Sequence, residues 1–173
     1  MTAAETLSLS LRPFDTEMLT AIVADAEAWA RQEEVSLGEH GPLLETVATG
    51  TLRFMVTTGA AAPWASYVAV DEGRRLIVGV CSFKGPPDEA GTVEVAYFTF
   101  PSHEGRGYAT AMARQLRNLA AGEGSVRTVR AHTLPERNAS GRILTKLGFR
   151  HVGEVLDPED GPVWRWDWPV PST

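Results

Sequence analysis

The sequence predicts a single α/β domain over residues 1–173, built from about seven strands together with several helices. Three observations support this fold class. Short β-branched and aromatic segments alternate with helical patterns along the chain. The 173 residues suffice for one domain with a sizeable core, and 43% hydrophobic with 22% charged residues is ordinary for a globular protein. At mid-chain, a strand, a glycine-rich turn and a helix follow one another directly.

The predicted elements are delimited by residues that start or stop regular structure. Pro13 ends the first strand, and Asp15 or Thr16 can cap the helix that follows. Pro42 suits the first turn of a second helix, and Gly148 marks the end of the last one. The predicted strands lie around residues 7–11, at 67–70, 76–83, 93–100, 126–132 and 149–155, and around 164–168. The predicted helices cover about residues 16–31, 43–57, 107–121 and 138–147.

The central stretch, residues 93–121, is the part around which the rest of the chain is organised. Its strand leads into the turn Gly105-Arg106-Gly107 and then into a helix. The turn and the helix start aim free backbone N–H groups at one point, an arrangement that binds phosphate. The alternative is a glycine turn that serves only as a connector. A dinucleotide-binding fingerprint is disfavoured because Thr110 occupies the position of its third glycine.

The charge distribution bears on the expected partners. A net charge of −6 argues against nonspecific binding of nucleic acid, and no apolar run is long enough to span a membrane. The first hundred residues carry 14 acidic and 6 basic side chains, whereas residues 101–150 carry 9 basic and 3 acidic ones. We therefore expect a polyanionic ligand on one side and a cationic ligand on the other, with solvated surface charge as the alternative.

Cysteine usage and the first residues predict a cytoplasmic protein. The single cysteine, Cys81, excludes an internal disulfide, and its apolar surroundings in the sequence predict a buried structural thiol. Residues 1–6 lack the basic region followed by an apolar one that starts a signal peptide. The four histidines show no metal-ligand spacing, so no metal site is predicted.

A second motif lies at residues 138–149, where Asn138-Ala139-Ser140 precedes Leu144-Thr145-Lys146-Leu147-Gly148-Phe149. By itself this segment predicts a capped helix with a glycine stop. Together with Glu104-Gly105-Arg106-Gly107-Tyr108-Ala109 it resembles the GCN5-related N-acetyltransferase (GNAT) superfamily, and within it the Rim-type ribosomal-protein alanine acetyltransferase branch. The resemblance covers about residues 64–167. It implies a GNAT-like α/β fold, with a mixed, mostly antiparallel sheet of about seven strands and helices on both faces. It also implies an acetyl-coenzyme A-dependent N-acetyltransferase, in which a primary amine attacks the thioester directly.

The resemblance implies that acetyl-coenzyme A is bound by the central strand, the glycine turn and the second motif. Backbone amides of the turn would hold the pyrophosphate, and strand residues 97–100 would pair with the pantetheine arm in a slot between splayed strands. The implied cofactor-binding residues are Phe98, Thr99, Phe100, Glu104, Gly105, Arg106, Gly107, Tyr108, Ala109, Thr110, Asn138 and Ser140. Glu104 replaces the arginine or glutamine usual in the family, which removes one cationic or amide contact.

Glu94 is the predicted general base, because it is a charged residue in an apolar strand, where an unpaired carboxylate would be costly. A structural ion pair or a strand-end glutamate is the alternative. The leaving thiolate needs only a modest proton donor. Ser140 is the first candidate for it and Asn138 the second, since Leu144 stands where many family members carry a tyrosine acid. A backbone N–H near Phe98 is expected to hold the oxyanion.

The expected acceptor is a small-molecule or peptide amine, and the protein is expected to be a monomer or a homodimer. Trp29, His40 and Trp64 are the predicted substrate-binding residues, with core or surface packing as the alternative for each. Two further functional classes compete with acetyl transfer. One is a catalytically silent acyl-coenzyme A-binding sensor on the same fold, and the other is a protein-interaction domain whose glycine turn binds nothing.

Overall fold

A computed structural model of the chain describes residues 7–172, in which strands and helices alternate. The seven strands are β1 (Leu9–Pro13), β2 (Ser66–Asp71), β3 (Leu76–Phe83), β4 (Thr92–Thr99), β5 (Thr128–Thr133), β6 (Arg150–Asp157) and β7 (Gly161–Pro169). The five α-helices are α1 (Thr16–Ala24), α2 (Ala26–Gln32), α3 (Gly41–Thr58), α4 (Tyr108–Ala121) and α5 (Ala139–Lys146). Residues 1–6, on which the expectation about a signal peptide rests, lie outside the described residues.

The strands form one sheet in the order β1-β2-β3-β4-β5-β7-β6. The pairs β1/β2, β5/β7 and β6/β7 are antiparallel, and β4/β5 is parallel. The parallel pair requires a crossover, which α4 supplies between the ends of β4 and β5. The predicted fold class, a mixed and mostly antiparallel sheet of about seven strands combined with helices, is confirmed.

The predicted first helix, residues 16–31, is wrong in one respect, because the chain breaks it into α1 and α2 at Asp25. Asp25 has extended backbone angles, with φ −166° and ψ 95°. Its N–H still donates to the carbonyl of Ala21 in α1, while its side chain accepts a hydrogen bond from the N–H of Ala28. One aspartate therefore closes the first helix and caps the second, a position for which the residue type is well suited.

Helix α3 begins at Gly41 with Pro42 in its first turn, as the sequence predicts. It ends at Gly59, which adopts the left-handed conformation with φ 70° and donates its N–H to the carbonyl of Met55. Gly50 lies inside this helix with no heavy atom near its Cβ position, so it weakens the helix without interrupting it. None of the helices in residues 7–172 is long and apolar enough to cross a membrane.

The chain divides into two compact units. The first consists of Met1–Val80 and Phe98–Tyr108, and the second of Cys81–Tyr97 and Ala109–Thr173. The prediction of a single domain is untested and stays a prediction.

The first unit has a core built from α1–α3 and the apolar residues of β2 and β3. Leu19, Ile22, Leu44 and Val68 are fully buried in it, and Phe100 joins the same cluster from the end of β4. In the second unit the buried residues alternate along the strands and recur every fourth residue along α4. They include Val93, Val95, Val129, Ala131, Met112, Leu116 and Ala120. These patterns are the two periodicities from which the elements were predicted.

Candidate active site

The glycine turn of the first unit is open and shaped to admit a ligand. After a short 3₁₀ turn, Gly105 and Gly107 adopt left-handed backbone angles with φ 74° and 88°. No heavy atom lies within 4 Å of the Cβ position at either glycine. Within residues 7–172, the N–H groups of these glycines donate to no backbone acceptor. A positive φ and open space favour glycine at both positions, and the free N–H groups are what a phosphate needs.

Tyr108 fixes the end of this turn from inside the first unit. Its ring is buried, and its hydroxyl donates a 2.6 Å hydrogen bond to Oδ2 of Asp71, the last residue of β2. Burial raises the pKa of Tyr108, and the Asp71 carboxylate raises it further. The side chain therefore stays a proton donor to Asp71, while Glu104 and Arg106 remain exposed on the turn.

Two buried histidines lie behind the turn. Nε2 of His40 is 2.7 Å from the hydroxyl of Ser102, and the His40 ring lies 5.0 Å from the ring of Phe100 and 5.2 Å from that of His103. Both ring nitrogens of His103 are buried and have no hydrogen-bond partner in the described part of the chain. Burial lowers the pKa of His103, and the charges of His40 and Arg106 lower it further.

In the second unit, the parallel pairing of β4 with β5 stops before either strand ends. Their parallel register runs from the pair Thr92 and Thr128 to the pair Val95 and Ala131, and stops there. Strand β5 continues to Thr133, and β4 continues through Ala96 and Tyr97. The backbone groups of β4 beyond Val95 therefore have no β5 partner in this register, which leaves a gap in which another chain-like molecule can pair.

Glu94 directly precedes Val95, the last residue of β4 that pairs with β5, and lies in a polar cluster. Its Oε1 accepts hydrogen bonds from Nζ of Lys84 at 2.7 Å and from Nδ1 of His132 at 2.9 Å. Burial opposes the positive charge on Lys84, but the hydrogen bond and the charge of Glu94 raise its pKa. The ion pair that was the alternative to a catalytic Glu94 thus exists, and it includes His132 besides Lys84.

The hydrogen bond between Glu94 and His132 determines which ring nitrogen of a neutral His132 carries the proton. Because a carboxylate accepts hydrogen bonds, Nδ1 of a neutral His132 must carry the proton and Nε2 must carry the free lone pair. A base oriented by a carboxylate through its other nitrogen is a recurring catalytic arrangement. No local signal in the sequence singles out His132, because its contact with Glu94 depends on the pairing of β5 with β4.

Tyr97 and Ser140 form a second polar pair in this unit. The Tyr97 hydroxyl is buried and has no hydrogen-bond partner among the described residues. Burial raises its pKa, and the nearby Ser140 hydroxyl, which is not in hydrogen-bonding geometry, offsets part of that rise. Side chains alternate between the faces of a strand, so Glu94 and Tyr97 project from opposite faces of β4. The family resemblance implies a role only for the backbone of Tyr97, not for its hydroxyl.

Asn138 is the N-cap of α5. Its Oδ1 accepts a 2.9 Å hydrogen bond from the N–H of Gly141, which leaves only the side-chain amide N–H₂ for a ligand. The three predicted acceptor residues differ in their surroundings. Trp29 belongs to the core of the first unit, Trp64 is half-buried, and His40 is bonded to Ser102. The assignments of all these residues to catalysis, cofactor or acceptor stay predictions.

Comparison with known proteins gives the family of the chain. The family model described as an acetyltransferase (GNAT) domain matches residues 8–150. The chain therefore belongs to the GNAT acetyltransferase family. This confirms the family that the two motifs indicated, and with it the predicted class, a transferase of the N-acetyltransferase type.

A curated relative and several solved structures agree with this family. The uncharacterized N-acetyltransferase YjdG of Bacillus subtilis (strain 168) is 34% identical over 84 residues, which cover 49% of this chain and 50% of that protein. The match thus spans about half the length of the curated relative.

The structural neighbours show the fold. RimL, a ribosomal-protein alpha-N-acetyltransferase in complex with coenzyme A, has a TM-score of 0.65 at 18% identity, covering 95% of this chain and 96% of its own. A ribosomal-protein alanine acetyltransferase from Vibrio fischeri has a TM-score of 0.65 at 14% identity, covering 98% and 97%. The spermidine N-acetyltransferase SpeG of Vibrio cholerae has a TM-score of 0.64 at 14% identity, covering 94% of both chains.

Proposed function

We propose that the protein is an acetyl-coenzyme A-dependent N-acetyltransferase that transfers the acetyl group to a primary amine by direct attack on the thioester. The observation that carries the proposal is the strand β4, which loses its β5 partner after Val95 and leads into the open turn at Gly105 and Gly107. Membership of the GNAT family supports this donor, as does the neighbour solved with coenzyme A.

The residues present fit the cofactor. The N–H groups of Gly105, Gly107 and the first turn of α4 would hold the pyrophosphate. Those of the two glycines donate to no backbone acceptor within residues 7–172, and the first turn of α4 is the positive end of the helix dipole. The backbone of Ala96 and Tyr97 would pair with the amide-containing pantetheine arm. Bound there, acetyl-coenzyme A supplies the activated acetyl group. Glu104 offers no cation to the phosphates, so binding relies on backbone donors.

Glu94 and His132 would remove the proton from the amine. The Glu94 carboxylate accepts a hydrogen bond from Nδ1–H of His132. The lone pair on Nε2 is therefore free to take a proton from the incoming ammonium, directly or through one water. The neutral amine then attacks the carbonyl carbon. The charge that develops on the carbonyl oxygen would be held by a backbone N–H near Phe98.

Ser140 and Tyr97 would return a proton to the leaving thiolate. Tyr97 projects from the face of β4 opposite Glu94, and Ser140 on α5 lies near its hydroxyl, which separates the donor group from the base. Burial raises the pKa of Tyr97, so its hydroxyl still carries a proton when the thiolate forms. The thiolate is a weak base and a good leaving group, so it needs only a modest donor.

The proposed acceptor is a cationic primary amine, on a small molecule or at a peptide N-terminus. The acidic first hundred residues favour a cation, and the named structural relatives act on ribosomal protein and on spermidine. We further propose that the protein acts in the cytoplasm as a monomer or homodimer. Cys81 is a free and buried thiol, as expected of a protein in a reducing compartment.

The first experiment tests the cofactor site. Gly107→Asp places a side chain and a negative charge on the turn, and we expect it to abolish the rise in melting temperature that acetyl-coenzyme A causes in the wild type. Gly59→Asp is the matched control, because Gly59 also has a positive φ and open space but lies at the end of α3. A cofactor shift that survives in Gly107→Asp would show that the phosphates bind elsewhere.

The second experiment tests the base. Glu94→Gln keeps the size of the side chain but removes the negative charge that strengthens the hydrogen bond with His132. We therefore expect kcat to fall by about 10²- to 10⁴-fold. Cofactor affinity should hardly change, and the loss should shrink at high pH, where more amine is already neutral. His132→Gln should lose at least as much. Normal turnover by both variants would remove this pair from the mechanism, and a wild type that binds the cofactor but acetylates no amine would favour the silent sensor.

A further inference from the structure

We propose that the pocket between α5 and the β6–β7 hairpin is a second small-molecule site, which binds a planar aromatic anion of the nucleoside-monophosphate class. The proposal goes beyond acetyl transfer and does not depend on it. All the residues that carry it belong to the second unit. The cavity has a volume of about 850 Å³, within the range of about 300–1,000 Å³ that small-molecule sites usually occupy.

One wall of the pocket is aromatic. Trp164 and Trp166 are two residues apart on β7. The ring centroid of His151 on β6 lies 4.7 Å from that of Trp164 and 4.9 Å from that of Trp166. Trp166 is mostly buried and fixed by a 3.0 Å hydrogen bond from its Nε1 to the hydroxyl of Thr133. This wall is therefore rigid, and its half-exposed part, Trp164, offers a face on which a planar ring can stack.

The other wall is basic. Arg137, Arg142 and Lys146 line the pocket from α5 and the loop before it, and Glu136 is the one acidic residue in its lining. All three cations are exposed, and none of them has an ion-pair or hydrogen-bond partner within residues 7–172. Guanidinium groups bind phosphate in a bidentate manner, so an anion beside the aromatic wall would pair with Arg142 or Arg137.

Helical geometry separates this pocket from the proposed reaction centre. Successive residues of an α-helix are rotated by about 100°, so Arg142 and Thr145 lie on one face of α5 and Ser140 on the opposite face. Asn138 also lines the pocket, but its Oδ1 is already engaged by the N–H of Gly141. A ligand in the pocket therefore does not need to displace a group that approaches Ser140.

Two arms of one titration test the proposal. Adenosine 5′-monophosphate is titrated calorimetrically into the full chain, with and without saturating coenzyme A. We expect it to bind with the same affinity in both arms, and at least tenfold more tightly than adenosine or inorganic phosphate. Arg142→Gln and Trp164→Leu should each weaken this binding at least tenfold.

Arg150→Gln is the matched control, because Arg150 is an equally exposed arginine on β6 that does not line the pocket. It should leave the binding unchanged. The Arg142 side chain is exposed and has no ion-pair or hydrogen-bond partner within residues 7–172, so the test stands even if Trp164→Leu fails to fold. Three results would overturn the proposal: no binding of adenosine monophosphate, binding that coenzyme A abolishes, or binding that Arg142→Gln leaves intact.

Discussion

At the scale of single residues, His103 lies in an environment that disfavours the charged form of its imidazole. Its imidazole is 8% exposed, and neither nitrogen has a partner in the part of the chain that the structure describes. The charges that face it are His40 and Arg106, which disfavour its protonation, and Glu39, which favours it. Burial is the largest cause, and the pKa of His103 is lowered as a result.

This lowered pKa predicts a loss of stability in mild acid. The unfolded chain binds a proton at the ordinary histidine pKa of about 6.5, whereas the folded chain resists it, so the unfolded state binds more protons in this window. Stability should therefore be complete above about pH 7 and should fall as the pH drops below 6.5 toward the pKa of the folded state. His103→Leu removes the group, so its melting temperature should fall less than that of the wild type between pH 7.5 and 5.5.

His151→Leu is the control for this measurement, because it removes an exposed histidine. It should keep the steep dependence of the wild type. A His103→Leu curve parallel to that of the wild type would show that other groups cause the acid sensitivity.

The sequence allowed one half of each proposed catalytic pair to be predicted. Glu94 was identifiable because an unpaired carboxylate in an apolar strand would be costly, and Ser140 because it belongs to the motif at residues 138–149. Their partners were not identifiable. Contact of Glu94 with His132 depends on the parallel register of β4 and β5, and contact of Tyr97 with Ser140 depends on where α5 packs. Pairings between distant segments are not encoded in local periodicity.

At the scale of elements, β3 and β4 approach each other closely at one glycine. A Cβ at Gly79 would lie 2.3 Å from the carbonyl oxygen of Phe98 and 3.1 Å from Cα of Thr99. Both are backbone atoms, which cannot rotate away as a side chain can. The absence of a side chain on β3 therefore sets the path of β4 just before it enters the glycine turn.

We therefore predict that Gly79→Ala destabilises the fold and weakens cofactor binding together. Overpacking of this kind costs about 1–3 kcal/mol in the free energy of unfolding. Gly50→Ala is the control, because Gly50 lies in α3 with open space around it and alanine should add about 0.5–1 kcal/mol there. Urea unfolding measures both changes. A neutral Gly79→Ala would mean that β4 can shift without consequence.

The ends of helices were predictable where a residue type strongly prefers the start or the end of a helix. Pro42, Gly148 and the cap Asn138 mark ends of helices that the structure confirms within one or two residues. The break at Asp25 was missed because an aspartate in a helical pattern can also face solvent inside a continuous helix. Which of the two occurs depends on tertiary packing of the segment after it, which propensity does not describe.

At the scale of the whole molecule, the strand order shows what the sequence could not supply. Strand β7 pairs with both β5 and β6, so the last strand of the chain lies inside the sheet and β6 lies at its edge. The local patterns predict seven strands but not their neighbours, and the mixed sheet was predictable only because two motifs resemble one family. The gap between β4 and β5 has the same origin in non-local pairing.

The charge of the whole chain gives the last prediction. The net charge is −6, and the first hundred residues contribute 14 acidic against 6 basic side chains. An acidic surface raises the local concentration of a cationic acceptor, and salt screens that attraction, since the Debye length falls from about 10 Å at 0.1 M to about 3 Å at 1 M ionic strength. For a polycationic amine at saturating acetyl-coenzyme A, we expect KM to rise by about threefold to tenfold between 0.05 and 0.5 M sodium chloride, with little change in kcat. A monoamine that the enzyme also acetylates is the control, and its KM should rise less because its single charge interacts more weakly. A KM for the polycation that stays constant or falls with salt would contradict the proposed cationic acceptor.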